Sequence, residues 1–546
     1  MPSQLAIYPA IGIARVGASQ ETYIGPELPG ASITDSVGKF HDANGKRRRE
    51  AARFRVFATG ASGTVATEVT IGSMVDGKTV QAIEWTSHLA NKKAFWFQFL
   101  GLAGEGVAAY PSGHPFRNGT AAMQLDERHK KYAIDFGPRT VAGANQSAKF
   151  SKGTGGGFPE TFPGPLHNGA TPVEITELGE LRTDGGGRLI VVGGFGISGK
   201  RGSIPGGGLH YANNPEWFDD VADGPIQARL LFTDQSAANV PGGAWVIIGP
   251  PDYAPDLENL VTLWDLLYDL AVREFDFAPA IFNRASGQFL TNYEPSYTRD
   301  IYPIIRRAGD YRWVIASGGN MHLWNYTALS KKPYVPTPGQ KSPAQILSFI
   351  RNPEDWANPF DADLKMPQLY GDTGEADSSL TLTRTQYHIL SQWRKGVFQA
   401  DWNGPAPADT IITPDGLNRA ALDHCVGGAF FPGIEAGWIL RDPRIFARPF
   451  RLKTPIADEF NLMGLTPGSV TMRSALPWQA DFLKCGTHWW PAARPNQVHV
   501  DEAGTIDEWD RTITGHLPMV REWHLLKTVV PTMNTAGQPI FAEEQP

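Results

Sequence analysis

From Ala6 to about Pro250 the apolar positions come in short runs of β-branched and aromatic residues. Arg53-Phe54-Arg55-Val56-Phe57 and Ala244-Trp245-Val246-Ile247-Ile248 are examples, set between clusters of Gly, Pro and Asn. Runs of that length bounded by turn formers read as strands. At Pro255 the period changes. Leu257, Leu260, Val261, Trp264, Leu267, Tyr268 and Ala271 recur at helical spacing behind Asp256, which the pattern marks as an N-cap. Two further helices are announced by capping chemistry. One has Ser342, Pro343 and Gln345 ahead of Ile346-Leu347; the other has Thr383 and Gln386 ahead of Tyr387, Leu390 and Trp393, and is closed by Gly396. The expected fold class is α+β and β-rich: a large β-rich half over residues 1–250, then a mixed α/β half over 251–546 that carries the site. The tract from Lys152 to Asn168, with Gly155-Gly156-Gly157, reads as a long loop.

Composition narrows the class. The 59 Gly and 43 Pro of this 546-residue chain demand many turns, yet 41% hydrophobic residues, with 16 Trp, 15 Tyr and 28 Phe, exclude a disordered or collagen-like chain. Acidic residues (56) outnumber basic ones (49), so no nucleic-acid partner is expected. The one dense basic run, Lys46-Arg47-Arg48-Arg49, follows Asn44-Gly45 and reads as a solvated hairpin tip. The N-terminus lacks a charged segment leading into an apolar one, and no apolar stretch approaches the ~18 residues of a membrane span. The expected location is the cytoplasm, or outside the cell after export without a cleavable signal peptide. Two cysteines, Cys425 and Cys485, exclude a disulfide framework and a four-thiolate metal site, and no metal is expected.

Several motifs fail on inspection. Gly194 to Gly199-Lys200 has the spacing of a phosphate-binding loop, but Arg201 stands where Ser or Thr must hold magnesium. The Pro- and Gly-rich residues 203–208 then leave no helix N-terminus to face a phosphate. A strand-to-loop turn accounts for it. Neither a Gly-x-Ser-x-Gly elbow nor a His-Glu-x-x-His pair occurs. In the C-terminal segment, Asp481 and Cys485 lie four apart, so a helical turn puts a carboxylate beside a thiol on one face. Aromatic neighbours would exclude water there and raise the carboxylate's proton affinity. A buried cysteine near a surface aspartate explains the same residues. Met519, Val520, Trp523 and Leu526 form an apolar stripe at helical spacing, in which Trp523 taken alone reads as core.

Other tracts are too long and irregular to recur by chance. They are Ile7-Tyr8-Pro9-Ala10-Ile11-Gly12-Ile13-Ala14-Arg15-Val16-Gly17, Asn213-Asn214-Pro215-Glu216-Trp217-Phe218-Asp219-Asp220, Gly249-Pro250-Pro251-Asp252-Tyr253-Ala254-Pro255, Cys425 through Glu435, and Leu476 through Pro495. Together they resemble the cysteine tryptophylquinone oxidases, the family of lysine ε-oxidase and glycine oxidase, over nearly the whole chain. The resemblance implies a cofactor made from the chain itself, with a cysteine sulfur bonded to a tryptophan ring oxidised to an orthoquinone. Matched by motif, Cys485 supplies the thioether, Trp523 in Met-Val-x-x-Trp supplies the quinone, and Asp481 assists cofactor formation and acts as catalytic base. Cys425 matches a second cysteine near the site, with a plain buried thiol as the alternative. Phe195 matches an aromatic position lining the substrate pocket, with packing as the alternative. Trp509 also resembles a family position and is nearer Cys485 in sequence, but it sits among charges.

The implied activity is oxidative deamination of an amino acid or primary amine, with O₂ as acceptor and release of ammonia and hydrogen peroxide. No unmodified side chain readily takes two electrons from an amine, so the hard step belongs to a cofactor. The family also implies a separate flavoprotein that oxygenates the tryptophan, and assembly into a homo-oligomer is expected. Two competing readings are a family member without mature cofactor, acting as a binding or scaffold protein, and a quinone-dependent amine dehydrogenase. Members of the family extend well past the Met-Val-x-x-Trp helix, whereas this sequence stops 23 residues after Trp523; substrate choice is where that departure is expected to tell.

Overall fold

A computed structural model describes residues 3–60, 66–98, 114–119, 123–169, 171–204, 206, 208–315, 322–354, 365–367, 380–427, 439–453, 465–485 and 491–545, apart from the side chains of Leu125, Lys484 and Cys485. The β-rich first half is built on one large mixed sheet and a smaller four-stranded one. The main path of the large sheet runs Arg139–Ala142, Lys78–Ser87, Ala222–Phe232, Ala244–Gly249, Ile11–Arg15, Arg49–Thr59, Leu189–Gly193, Glu177–Thr183 and Ser147–Ser151. Neighbours along that path are antiparallel except Ile11–Arg15, which runs parallel to Ala244–Gly249. Both of these central strands are buried along their length, as strands covered on two faces must be.

After Leu189–Gly193 a short irregular turn leads into Ser198–Lys200, which leaves the large sheet and pairs with Trp217–Asp219 in the smaller one. Lys200 is thus a strand residue, and the apparent phosphate loop is the strand-to-loop turn expected of it. That turn, residues 194–197, proves central to the site.

The capping boxes predicted at Ser342/Gln345 and Thr383/Gln386 are both formed, opening the helices Pro343–Phe349 and Arg384–Arg394. The helix predicted behind Asp256 instead begins at Leu263, behind Thr262 with Asp265 completing its box. Asp256 caps a different helix. Its carboxylate accepts the Ile33 and Thr34 amides at 2.7 and 3.1 Å, at the start of Ile33–Val37. Free N–H groups at a helix start need an acceptor from anywhere, a service worth about 1 kcal/mol, and sequence spacing does not say which helix a distant acid serves.

The basic run departs further from expectation. Asn44-Gly45 does make the hairpin tip, with Asp42 and Lys46 bonded across it, but Arg47 and Arg49 are each 1% exposed. Alternation along the strand turns both inward, where their guanidinium groups find backbone carbonyls and aromatic faces rather than water. Arg47 donates to the Asp252 carbonyl (2.5 Å) and Thr528 Oγ1 and lies over the Tyr253 ring at 4.7 Å. Arg49 donates to the Ser19, Gln20 and Gly193 carbonyls and lies over the Phe195 ring at 4.3 Å. Among the described residues no helix is long and apolar enough to cross a membrane.

Candidate active site

The helix Trp478–Cys485 carries Asp481 in its first turn. Trp478, Gln479, Ala480, Asp481 and Phe482 are all buried, so the first turn of this helix is enclosed on every side. Asp481 is 0% exposed, which removes the reading that pairs a buried thiol with a surface aspartate. Cys485 ends the helix; its side chain and residues 486–490 lie outside the described residues.

The start of the helix is fixed by the Asn213–Asp220 tract. Asn214 Nδ2 donates to the Leu476 carbonyl at 2.8 Å, and Asp219 Oδ2 accepts the Trp478 amide at 3.2 Å. Lys93 Nζ sits 2.5 Å from the same Asp219 oxygen, with both side chains fully buried, and Asn91 Nδ2 donates to Oδ1 at 2.9 Å. Burial pushes the Lys93 ammonium towards its neutral form, while Asp219 foremost, and Asp481 as well, favour the charge. The Lys93–Asp219 pair, through the Trp478 amide that Asp219 accepts, ties Asp481's helix to the sheet. Lys93→Met would leave Asp219 buried and unpaired. It is expected to cost about 3–5 kcal/mol, read as a lowered urea midpoint, and an unchanged midpoint would contradict the pairing.

Trp523 follows the helix His516–Glu522 and opens a short 3₁₀ turn. The predicted stripe is real: Met519, Val520, Trp523 and Leu526 are all buried. The indole meets Trp478 edge to face at 5.1 Å and 72°, which places it directly on the Asp481 helix; Trp478 in turn meets Phe482 at 5.0 Å. From the other side comes the 194–197 turn. Gly196 has φ +70°, and a Cβ there would lie 2.0 Å from Trp523 Cζ2, so only glycine allows this approach. Gln479 Nε2 donates to the Gly196 carbonyl at 3.3 Å and Gln479 Oε1 accepts from Ser198 Oγ at 2.8 Å, locking helix to turn. Phe195, half-buried, leaves the turn beneath the Arg49 guanidinium.

Tyr253 completes the enclosure. Its hydroxyl donates to the Trp523 carbonyl at 2.6 Å, and its ring lies between Arg47 and Trp509. The tract Gly249–Pro255 stood out in the sequence as a motif, but no local signal gave Tyr253 a role. Trp509 is as buried as Trp523, at 2% exposure each, so its charged neighbours in sequence do not separate the two. Position does. Trp509 packs on Tyr253 at 4.7 Å and commits its indole N–H to the Lys527 carbonyl at 2.7 Å, whereas Trp523 faces the Asp481 helix. Cys425 is fully buried in a second apolar cluster with Ala10, Trp245 and Leu263; its sulfur is 3.4 Å from the Ala421 carbonyl and 3.6 Å from Arg15 Nη2.

Residues 8–248 match the family described as L-lysine epsilon oxidase N-terminal, and residues 367–509 match the L-lysine epsilon oxidase C-terminal domain. An L-lysine 6-oxidase from Marinomonas mediterranea is 31% identical over 94% of this chain and 75% of its own length. The crystal structure of the L-Lys epsilon-oxidase from that organism superposes with a TM-score of 0.81 at 26% identity, covering 99% of this chain and 94% of that one. Its Schiff base intermediate with L-Lys superposes at 0.80 with 27% identity and the same coverage.

Proposed function

Because the chain belongs to the L-lysine ε-oxidase family, quinoproteins whose cysteine tryptophylquinone is made from their own side chains, we propose that Cys485 and Trp523 form that cofactor here, with Asp481 as its base. The chain is an amino-acid oxidase that performs oxidative deamination. Its relatives are oxidases, so neither a cofactor-free scaffold nor a dehydrogenase is favoured.

The observation that carries the assignment is the seating of Trp523: a buried indole edge-on to the Asp481 helix, with its far edge against a glycine. The residues present fit such a group. Trp478 meets the ring edge to face and is itself backed by Phe482, which packs on Tyr253, and Tyr253 fixes the Trp523 backbone through its carbonyl. When formed, the quinone supplies an electrophilic carbonyl and an electron sink that passes two electrons from the amine to O₂.

The protein does the rest. Asp481, buried in the first turn of its helix, takes the proton from the substrate carbon bearing the amine onto a carboxylate oxygen, and the enclosed turn fixes where that oxygen lies. The same carboxylate draws off protons while oxygen and sulfur are added to the ring. Aromatic walls exclude water, which strengthens every charge interaction at Asp481. Phe195, braced by Arg49, is the aromatic wall of the substrate pocket, and Cys425 supports the site from the neighbouring cluster. The substrate is an amino acid or another primary amine. Ring oxygenation falls to a separate flavoprotein, and the working enzyme is a homo-oligomer.

The test is mass. Cofactor formation adds two oxygens and removes four hydrogens, so protein made together with its flavoprotein is expected to be heavier than its sequence by about 28 Da. Tryptic peptides holding Cys485 and Trp523 should run as one linked species. Separate, unmodified peptides from that material would refute the assignment.

A further inference from the structure

A third buried carboxylate, beside Asp219 and Asp481, lies under the turn that packs on Trp523, and the chemistry above does not use it. Asp220, next to the Lys93-bound Asp219, is 0% exposed and lies under the 194–197 turn, where a Cβ on Gly194 would come within 2.6 Å of its Oδ2. Among the described residues no side chain hydrogen-bonds to it. Its polar surroundings include the backbone N–H groups of Phe195 and Ile197, which favour its charged form but stop short of full hydrogen-bond geometry. Burial works the other way and, as the largest influence, pushes the carboxyl up to about 7.

The turn above Asp220 is held from three sides. Arg49 stacks on Phe195 and donates to the Gly193 carbonyl at 3.1 Å; Gln479 holds the Gly196 carbonyl; Asp220 packs against Gly194 from below, near the two amides without a formed hydrogen bond to either. On its outer side the turn presses Gly196 onto the Trp523 ring. The charges that face Asp220 are Asp219 beside it, held by Lys93, and Arg49, which in turn sees Glu177, Glu180 and Arg182; Asp481 joins the same network through Lys93.

We propose that Asp220 is a positioning residue of the quinone site: as a carboxylate it draws the Phe195 and Ile197 amides inward and so sets Gly196 and Phe195 against Trp523 and the pocket, and on taking a proton it relaxes that hold. The contact between turn and ring does not depend on the cofactor; its importance for catalysis rests on the reading of Trp523 given above. Asp220→Asn keeps the shape and fixes the neutral state that burial already favours, so this variant is expected to fold.

The experiment uses the unmatured chain, made without the flavoprotein. Near-UV circular dichroism is recorded against pH for the parent and for Trp523→Phe, and the difference isolates Trp523. In the parent the difference signal is expected to titrate with a midpoint within about one unit of 7. On the Asp220→Asn background the same difference should be flat across that range, with Asp220→Ala as a second uncharged background. A parent signal without an inflection, or an inflection that survives removal of the carboxylate, overturns the proposal. Neither outcome depends on quinone formation, so failure here is distinguishable from failure of the functional assignment. In mature protein, the pH profile of KM for the amine is expected to lose the same inflection in Asp220→Asn.

Discussion

Trp523→Phe is expected to give a folded protein without quinone absorbance and without amine oxidation, whereas Trp509→Phe retains both. Phenylalanine fills most of the slot between Trp478 and Gly196, so the loss of buried surface is partial, about 2 kcal/mol. What disappears entirely is the fused ring that the cofactor requires. Trp509→Phe acts elsewhere: it orphans the Lys527 carbonyl and loosens the packing on Tyr253, a cost of about 1–3 kcal/mol in stability. The visible spectrum and a urea melt of each variant separate the two effects. Loss of the quinone band in Trp509→Phe, with the band intact in Trp523→Phe, would exchange the roles.

Asp481→Asn should be nearly as severe. The amide matches the carboxylate in size inside a fully enclosed helical turn, so the fold is expected to survive. With Asp481 as the proposed base, the substitution is expected to act twice. During cofactor formation no group in that position draws off ring protons, and intact mass should fall short of the full gain of about 28 Da. In whatever fraction matures, reduction of the quinone by amine should slow by about 10²–10⁴-fold, the usual worth of a positioned base. Asp481→Glu, displaced by one methylene, should mature more readily yet remain slow, because proton transfer depends on tight placement. Stopped-flow reduction under anaerobic conditions measures this directly. A fully mature cofactor and an unchanged reduction rate in Asp481→Asn would remove Asp481 from the chemistry.

Lys93 bears on Asp481's surroundings through Asp219. Its neighbours include Asp219, which caps the Trp478 amide, and the field of Asp481 itself. Helix position and site charge are therefore set by one buried cation. Arg47 and Arg49 act in the same manner on the opposite wall, the first beneath Tyr253 and the second against Phe195. Three buried cations thus position aromatic and acidic groups without touching the reacting atoms.

Local patterns in the chain already determined much of this protein. The strand period of the first half, two capping boxes, the Met519–Leu526 stripe and the one-turn spacing of Asp481 and Cys485 are relations between residues two to four apart, and such relations are set by the geometry of strand and helix. The tracts at Asn213–Asp220 and Gly249–Pro255 marked residues of importance without revealing their use. Only the tertiary structure decided that use: Asp219 caps a helix 259 positions away, Tyr253 bonds to Trp523 across 270, and Asp256 caps Ile33–Val37 across 223. It also turned Arg47 and Arg49 from a solvated tip into buried anchors, and brought Gly196, from a failed phosphate motif, against Trp523. An unpaired N–H, an aromatic face or a gap one hydrogen wide is filled by whatever the fold brings near, and that partner leaves no periodic trace in the chain.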